Sequence, residues 1–136
     1  MEEAQTRSQR RSIELRTFLT QLRIEPSDDP NWPWPWRLLE PFNYITDAGQ
    51  LISIPKDFGT DFASIPRLFW PILPPWDPKY GKPAVLHDYL YRFRIGKRSW
   101  ADYIFLEAME ELKVPVWKME VMYLAVRLFG GPAWRH

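Results

Sequence analysis

The chain contains no cysteine and only two histidines, His87 and the terminal His136, among its 136 residues. Without cysteine there is no disulfide framework and no thiol chemistry, and zinc sites with Cys ligands are excluded. Two histidines also cannot supply an all-histidine zinc site. The sequence therefore predicts a protein that holds no zinc.

Other signatures are missing as well. There is no glycine-rich phosphate loop, no nucleophile-elbow serine and no pair of histidines on one helix, so we expect no nucleotide cofactor. A formal net charge of +1 argues against a broad nucleic-acid-binding surface. Proline and charge interrupt every hydrophobic segment before it reaches membrane-spanning length, and the N-terminus lacks a secretory signal. We expect synthesis in the cytoplasm.

Aromatic residues and proline are abundant, with eight Trp, eight Phe, six Tyr and 14 Pro. The segment 32–36 alternates Trp with Pro, which predicts a stiff polyproline-like rod. Its indoles, on Trp32, Trp34 and Trp36, could cover the core or dock on a partner. Before it, apolar residues at helical spacing predict a thin amphipathic helix from Ser8 to Leu22. We divide the chain into an N-terminal arm, residues 1–36, and one domain, residues 37–136.

The domain begins with strand-like patterns and ends with helical ones. Residues 38–45 and 51–54 flank a turn-rich loop, which predicts a β-hairpin. Three helices follow: one over 83–95 with Pro83 at its first position, one that starts with a capping box at Ser99, and one from Pro115 to Gly130. The fold class is therefore α+β.

The candidate chemistry lies at the start of the helical half. On a helix His87 and Tyr91 share a face, while Asp88 points about a quarter-turn away. A tight connection brings Asp102 back toward His87, which could then act as a general base oriented by that carboxylate. Asp88, together with Asp61 from the loop 59–67, could hold a hard cation such as calcium.

A structural interpretation of the same residues stays open. Asp102 is the third residue after Ser99, where an acid helps a helix to start. His87 could be a core histidine bound to a backbone carbonyl. Asp61 could accept backbone N–H groups in a turn and pair with Arg67.

The ordered motifs Gly59-Thr60-Asp61-Phe62-Ala63-Ser64-Ile65-Pro66-Arg67, His87-Asp88-Tyr89-Leu90-Tyr91 and Ala101-Asp102 resemble an uncharacterised family of small bacteriophage and prophage proteins. The resemblance covers about residues 37 to 130. It implies phage origin, a domain of unknown function, synthesis in the host cytoplasm and incorporation into a virion if the protein is structural.

A narrower set, His87-Asp88-x-x-Tyr91 followed by Ala101-Asp102, is similar to the helix pair of calcium-dependent His-Asp phospholipases. That resemblance implies His87 as base, Asp102 as its partner, Asp88 as a calcium ligand and Tyr91 as a supporting hydroxyl. The glycine-rich calcium loop of those enzymes is absent, so Asp61 would have to compensate.

Two functions follow from these patterns. The first is a phage-encoded His-Asp hydrolase that cleaves an ester with the help of a bound cation, with phospholipid as one such substrate and membrane lipid then as a partner. The second is a non-catalytic virion component of the tail or head-to-tail assembly, whose Trp/Pro arm docks on neighbouring subunits, with a homo-oligomer as one arrangement. We expect no nucleic-acid partner in either case.

Overall fold

The computed structural model describes residues 16–62 and 65–135, in which two small antiparallel sheets precede four α-helices. The strands are β1 Thr17–Phe18, β2 Ile24–Pro26, β3 Trp36–Leu38, β4 Phe42–Ile45, β5 Leu51–Ile54 and β6 Gly59–Thr60. After a 3-10 turn at Arg67–Phe69, the helices are α1 Pro78–Arg92, α2 Arg98–Glu111, α3 Val116–Phe129 and α4 Gly131–Arg135. The α+β class is confirmed.

The predicted hairpin is present as β4 and β5, paired from Phe42 with Ile54 to Ile45 with Leu51. Alternate residues of the two strands are buried, among them Tyr44 and Ile52, which face each other across the pair. This alternation is what a sheet with one face on the core requires. The remaining strand of this sheet is β1, which lies on the other side of β4.

The helix predicted over Ser8–Leu22 is wrong where the structure describes it, because Thr17 and Phe18 form β1. Its earlier part lies outside the described residues. The Phe18 ring lies 5.3 Å from the ring of Phe42 and 4.7 Å from that of Tyr44, between centroids. Burial against these aromatic rings outweighs the helical periodicity, since tertiary contacts routinely override local propensity.

The predicted arm contributes two strands from residue 17 onward. β2 pairs with β3, which pairs with β6, and this second sheet has the order β2-β3-β6. Trp36 begins β3 and lies opposite both Pro26 and Thr60. The Trp/Pro segment therefore runs into a sheet of the same chain, and its first two indoles, Trp32 and Trp34, are half-buried.

Two helix starts differ from the prediction. α1 begins at Pro78, where the Asp77 side chain accepts the backbone N–H of Lys79, so Pro83 lies inside the helix. α2 begins after Lys97 without a side-chain cap, so the capping box predicted at Ser99 is wrong. The third helix is confirmed between Pro115 and Gly130. The short α4 after it was not predicted.

The core lies between the hairpin sheet and the helices, and α1 packs on α2. Alanines with no exposed surface allow the two helix backbones to approach closely: Ala84, Ala101 and Ala108. Within the described residues, no helix combines the length and apolar character needed to cross a bilayer.

Gly81 should tolerate no side chain, although it lies inside α1. A Cβ atom there would lie 2.2 Å from the carbonyl oxygen of Pro75. Gly→Ala in a helix interior ordinarily adds about 1 kcal/mol of stability. We expect Gly81→Ala instead to lower the free energy of unfolding by about 1–3 kcal/mol, because the backbone of the preceding loop must shift.

Denaturant unfolding measures this effect, with Gly131→Ala in α4 as the matched control. A Cβ atom at Gly131 meets nothing within 4 Å. Gly131→Ala should leave the free energy of unfolding unchanged or raise it slightly. Equal stability of the two variants would contradict the contact between Pro75 and α1.

Candidate functional site

Asp102 is fully buried and accepts hydrogen bonds from three side chains. Its Oδ1 lies 2.7 Å from Nε2 of His87 and also accepts the hydroxyl hydrogen of Tyr91 at 2.5 Å. Its Oδ2 accepts from Nη1 of Arg127 at 2.8 Å. The donors come from α1 and α3, and the carboxylate comes from α2, so the site joins three helices.

Local structure explains how these groups meet. His87 and Tyr91 lie one turn apart on α1 and project together, with ring centroids 4.1 Å apart. After α1, Arg94 and Gly96 adopt positive φ angles of 48° and 69°, which reverse the chain within a few residues. The reversal lays α2 along α1, and Asp102, in the second turn of α2, then faces His87.

Burial and hydrogen bonding set the charge state of the pair. Desolvation lowers the pKa of His87, and it outweighs the opposing effect of the Asp102 carboxylate. Burial acts to raise the pKa of Asp102, but the hydrogen bonds from His87, Tyr91 and Arg127 outweigh it and leave that pKa below its ordinary value. A neutral imidazole beside an ionised carboxylate must donate through Nε2–H, so Nδ1 is the basic ring nitrogen.

Arg98 supports the same cluster from the start of α2. Its Nη2 donates to the carbonyl oxygens of Val126 and Arg127, at 2.7 and 2.8 Å, at the C-terminal end of α3. Its Nε donates to the Tyr91 hydroxyl at 3.2 Å. Sequence reasoning missed both Arg98 and Arg127. A cation in the first turn of a helix interacts unfavourably with the helix dipole. The position of Arg98 at the start of α2 was therefore the sequence feature that could have indicated a specific role for it.

Asp88 lies in a second polar group beside the first. Its Oδ2 accepts from the Thr60 hydroxyl at 2.8 Å and from Nη2 of Arg92 at 3.1 Å. The Arg92 guanidinium lies 3.7 Å from the centroid of the Trp34 ring and 4.4 Å from that of Phe58. Burial raises the pKa of Asp88 to about 6, against the opposing effect of Arg92 and Thr60.

Both polar groups open on one cavity of about 420 Å³. Its polar wall includes the sequence-predicted residues His87, Tyr91, Asp88 and Asp61. Asp102 lies behind His87, away from the cavity surface. The apolar wall and the remaining lining come from Trp34, Pro66, Arg92, Ala125, Val126, Phe129, Gly130 and Ala133.

The donors around Asp88 do not fit a calcium ion well. One carboxylate oxygen already accepts two hydrogen bonds, and the Arg92 cation that supplies one of them lies where a divalent ion would be repelled. Calcium requires six to eight oxygen ligands. We therefore derive no chemical step through calcium.

The three tryptophans predicted to contact a partner have different surroundings. Trp34 lines the cavity and covers Arg92. The Trp36 ring meets that of Phe62 edge-on at 6.3 Å between centroids. Trp32 is half-buried. Trp34 and Trp36 thus cover parts of their own chain, which was one of the two alternatives that the sequence left open.

Comparison with known proteins gives a family but no activity. The family model described as a protein of unknown function, DUF1353, matches residues 36–126. The uncharacterized protein y4jT of Sinorhizobium fredii is 32% identical over 100 residues, which cover 73% of this chain and 30% of that protein. A second uncharacterized protein of that organism, y4iH, is 31% identical over 96 residues, which cover 68% of this chain and 39% of that protein. The chain thus spans about a third of these relatives, and no solved structure matches it.

The raised pKa of Asp88 predicts a specific dependence of stability on pH. Its pKa in the folded protein, about 6, exceeds the ordinary 3.8, so the fold favours the protonated carboxyl. The resulting stability is fully present below pH 3.8 and is lost as the pH rises through about 6. Asp88→Asn cannot ionise and should gain on the order of 2 kcal/mol relative to the native chain between about pH 4 and pH 7.

Unfolding experiments on both chains across that pH range measure the difference. His87 and Asp102 have lowered pKa values and lose stability in acid, but both chains share those groups. The difference between the two chains therefore isolates the contribution of Asp88 to the pH dependence of stability. If the stability curves of the two chains run parallel from pH 4 to pH 7, the pKa of the Asp88 carboxyl is not raised.

Proposed function

The chain belongs to the DUF1353 family, whose function is unknown, and we propose that it is a hydrolase in which His87 activates water to cleave an ester. One observation carries the proposal. A neutral histidine, fixed by a buried carboxylate at 2.7 Å, lies in the wall of an open cavity. This is the arrangement that general-base catalysis needs, with the base and its orienting group in contact and room for a substrate beside them.

The mechanism uses the two ring nitrogens separately. The Asp102 carboxylate holds the Nε2–H, so Nδ1 of His87 accepts a proton from water as the oxygen attacks the ester carbonyl. The tetrahedral intermediate then collapses, the bond to the alkoxy oxygen breaks, and that oxygen takes the proton back from His87. One water and one ester give one carboxylic acid and one alcohol, and no covalent bond to the protein forms.

Charges around the cavity complement this reaction. Asp102 stabilises the imidazolium that forms transiently, and Tyr91 and Arg127 hold the carboxylate in place. Arg92 brings a cation to the cavity wall, where it can stabilise the negative oxygen of the intermediate. Tyr91 and Arg127 act through Asp102 and are positioning residues.

The lining of the cavity indicates the kind of ester. Trp34, Val126 and Phe129 supply apolar lining to the cavity beside its polar residues, in a volume of about 420 Å³. Such a lining favours an ester with an apolar acyl or alkyl part. The resemblance to His-Asp phospholipases makes phospholipid one member of that class.

A second candidate function is a non-catalytic role in assembly. The observation that favours it is the exposure of large apolar side chains on α3, among them Leu124, Leu128 and Phe129. Phage origin, which the sequence resemblance implies, is common to both candidates, and a place in the tail or head-to-tail assembly belongs to this one. It requires no turnover in the cavity.

Hydrolysis of p-nitrophenyl acetate, butyrate and octanoate, and of phosphatidylcholine vesicles, tests the first candidate. We expect turnover by the native chain and none above background for His87→Ala. Asp102→Asn should lower kcat on the order of 10²–10⁴-fold, because an amide can donate to Nε2 and move the imidazole hydrogen to Nδ1. Each reaction is run with chelator and with added calcium, and we expect no difference.

The matched control is Asp28→Asn, an exposed change of the same chemistry outside the cavity residues. It should leave kcat unchanged. Circular dichroism and thermal unfolding confirm that each variant is folded. Native activity that survives His87→Ala would eliminate this mechanism, and no turnover of any of these esters by the native chain would favour the assembly role.

A further inference from the structure

One face of α3 exposes large apolar side chains to solvent. Four of them form one row, which we name the α3 stripe: Trp117, Val121, Leu124 and Leu128. They are 55, 36, 57 and 65% exposed. Their spacings of four, three and four residues put them on a single side of the helix. The opposite side, which carries Met119, Met122 and Val126, is buried in the core.

The α3 stripe carries no charge of its own. Lys118 donates to the carbonyl oxygen of Ile72 and the hydroxyl of Tyr80, both at 3.0 Å. Arg127 is bound to Asp102. Both cations of the helix are therefore used within the chain, and Glu120 remains exposed at one edge of the stripe. An apolar row with a polar edge is typical of a helix that packs on another helix.

We propose that the α3 stripe is a dimer interface, in which α3 packs antiparallel on α3 of a second copy of this chain. The spacing favours a second copy, because the intervals of four, three and four residues between the apolar side chains are the same when the helix is followed in the opposite direction. With the two helices antiparallel about the middle of the stripe, Trp117 lies opposite Leu128 and Val121 lies opposite Leu124. A symmetric dimer requires such a self-complementary patch.

The contact is small for a specific interface. α3 is about 21 Å long, and two such stripes with their edges bury on the order of 1,000 Å² in total. That is the low end of specific interfaces, so we expect monomer and dimer to exchange with a dissociation constant in the micromolar range.

The dimer does not depend on the proposed hydrolysis. The α3 residues that line the cavity, Ala125, Val126 and Phe129, lie to the side of the stripe or behind it. Pairing through the α3 stripe therefore leaves the cavity open, and the interface can be tested whether or not the cavity is catalytic.

Sedimentation equilibrium of the full chain from about 1 to 500 µM tests the association. We expect the average mass to rise from monomer toward dimer. Leu124→Glu puts a charge at the centre of the contact twice, once from each copy, and should raise the dissociation constant at least about a hundredfold. Leu68→Glu is the matched control, since Leu68 is exposed in the 3-10 turn, outside the stripe.

The control should dimerise like the native chain. A native chain that stays monomeric throughout, or a Leu124→Glu variant that dimerises as strongly as the native chain, overturns the proposal.

Cysteine cross-linking tests the antiparallel arrangement, because the chain has no cysteine of its own. In the proposed dimer Trp117 of one copy faces Leu128 of the other, while identical positions lie about 16 Å apart along the helix. A mixture of W117C and L128C should therefore give a disulfide-linked heterodimer on mild oxidation, and each variant alone should give little. Efficient linking of either variant to itself would overturn the antiparallel arrangement.

Discussion

The carboxylate of Asp102 is the group on which the arrangement of the helices depends. A charge without exposed surface costs several kcal/mol unless its environment compensates. Here compensation comes from His87 and Tyr91 on α1 and from Arg127 on α3. Any shift of α1 or α3 relative to α2 would leave the charge short of a donor, so the hydrogen bonds fix where the helices lie.

The cavity is a consequence of that arrangement. α1 supplies its polar wall through His87, Asp88 and Arg92, and α3 supplies part of its apolar wall through Val126 and Phe129. Arg98 binds the carbonyl groups at the end of α3, so the position of that apolar wall depends on α2 as well. The same hydrogen bonds thus hold the three helices together and orient His87, and a residue such as Arg127 contributes to both.

The two aspartates near His87 show how surroundings divide similar side chains into different roles. Asp102 has three donors, which lower its pKa and keep it ionised. Asp88 has the Thr60 hydroxyl and the Arg92 guanidinium, but burial prevails and raises its pKa to about 6. One carboxylate therefore holds a fixed charge behind the histidine, while the other gains or loses a proton within the cavity near neutral pH.

Local patterns in the sequence determined the α+β class, the β4–β5 hairpin and the limits of α3, because alternation, turn residues and helix-ending glycine act within a few positions. The motif around His87, with Asp102 beyond a short connection, likewise pointed to residues that lie together. Only the tertiary structure decided that Phe18 belongs to a strand, that Asp102 is a buried partner instead of a helix cap, and that Arg98 and Arg127 belong to the site. These outcomes depend on contacts between residues far apart in the chain, and the energy of burying a ring or a charge is set by neighbours that no local pattern specifies.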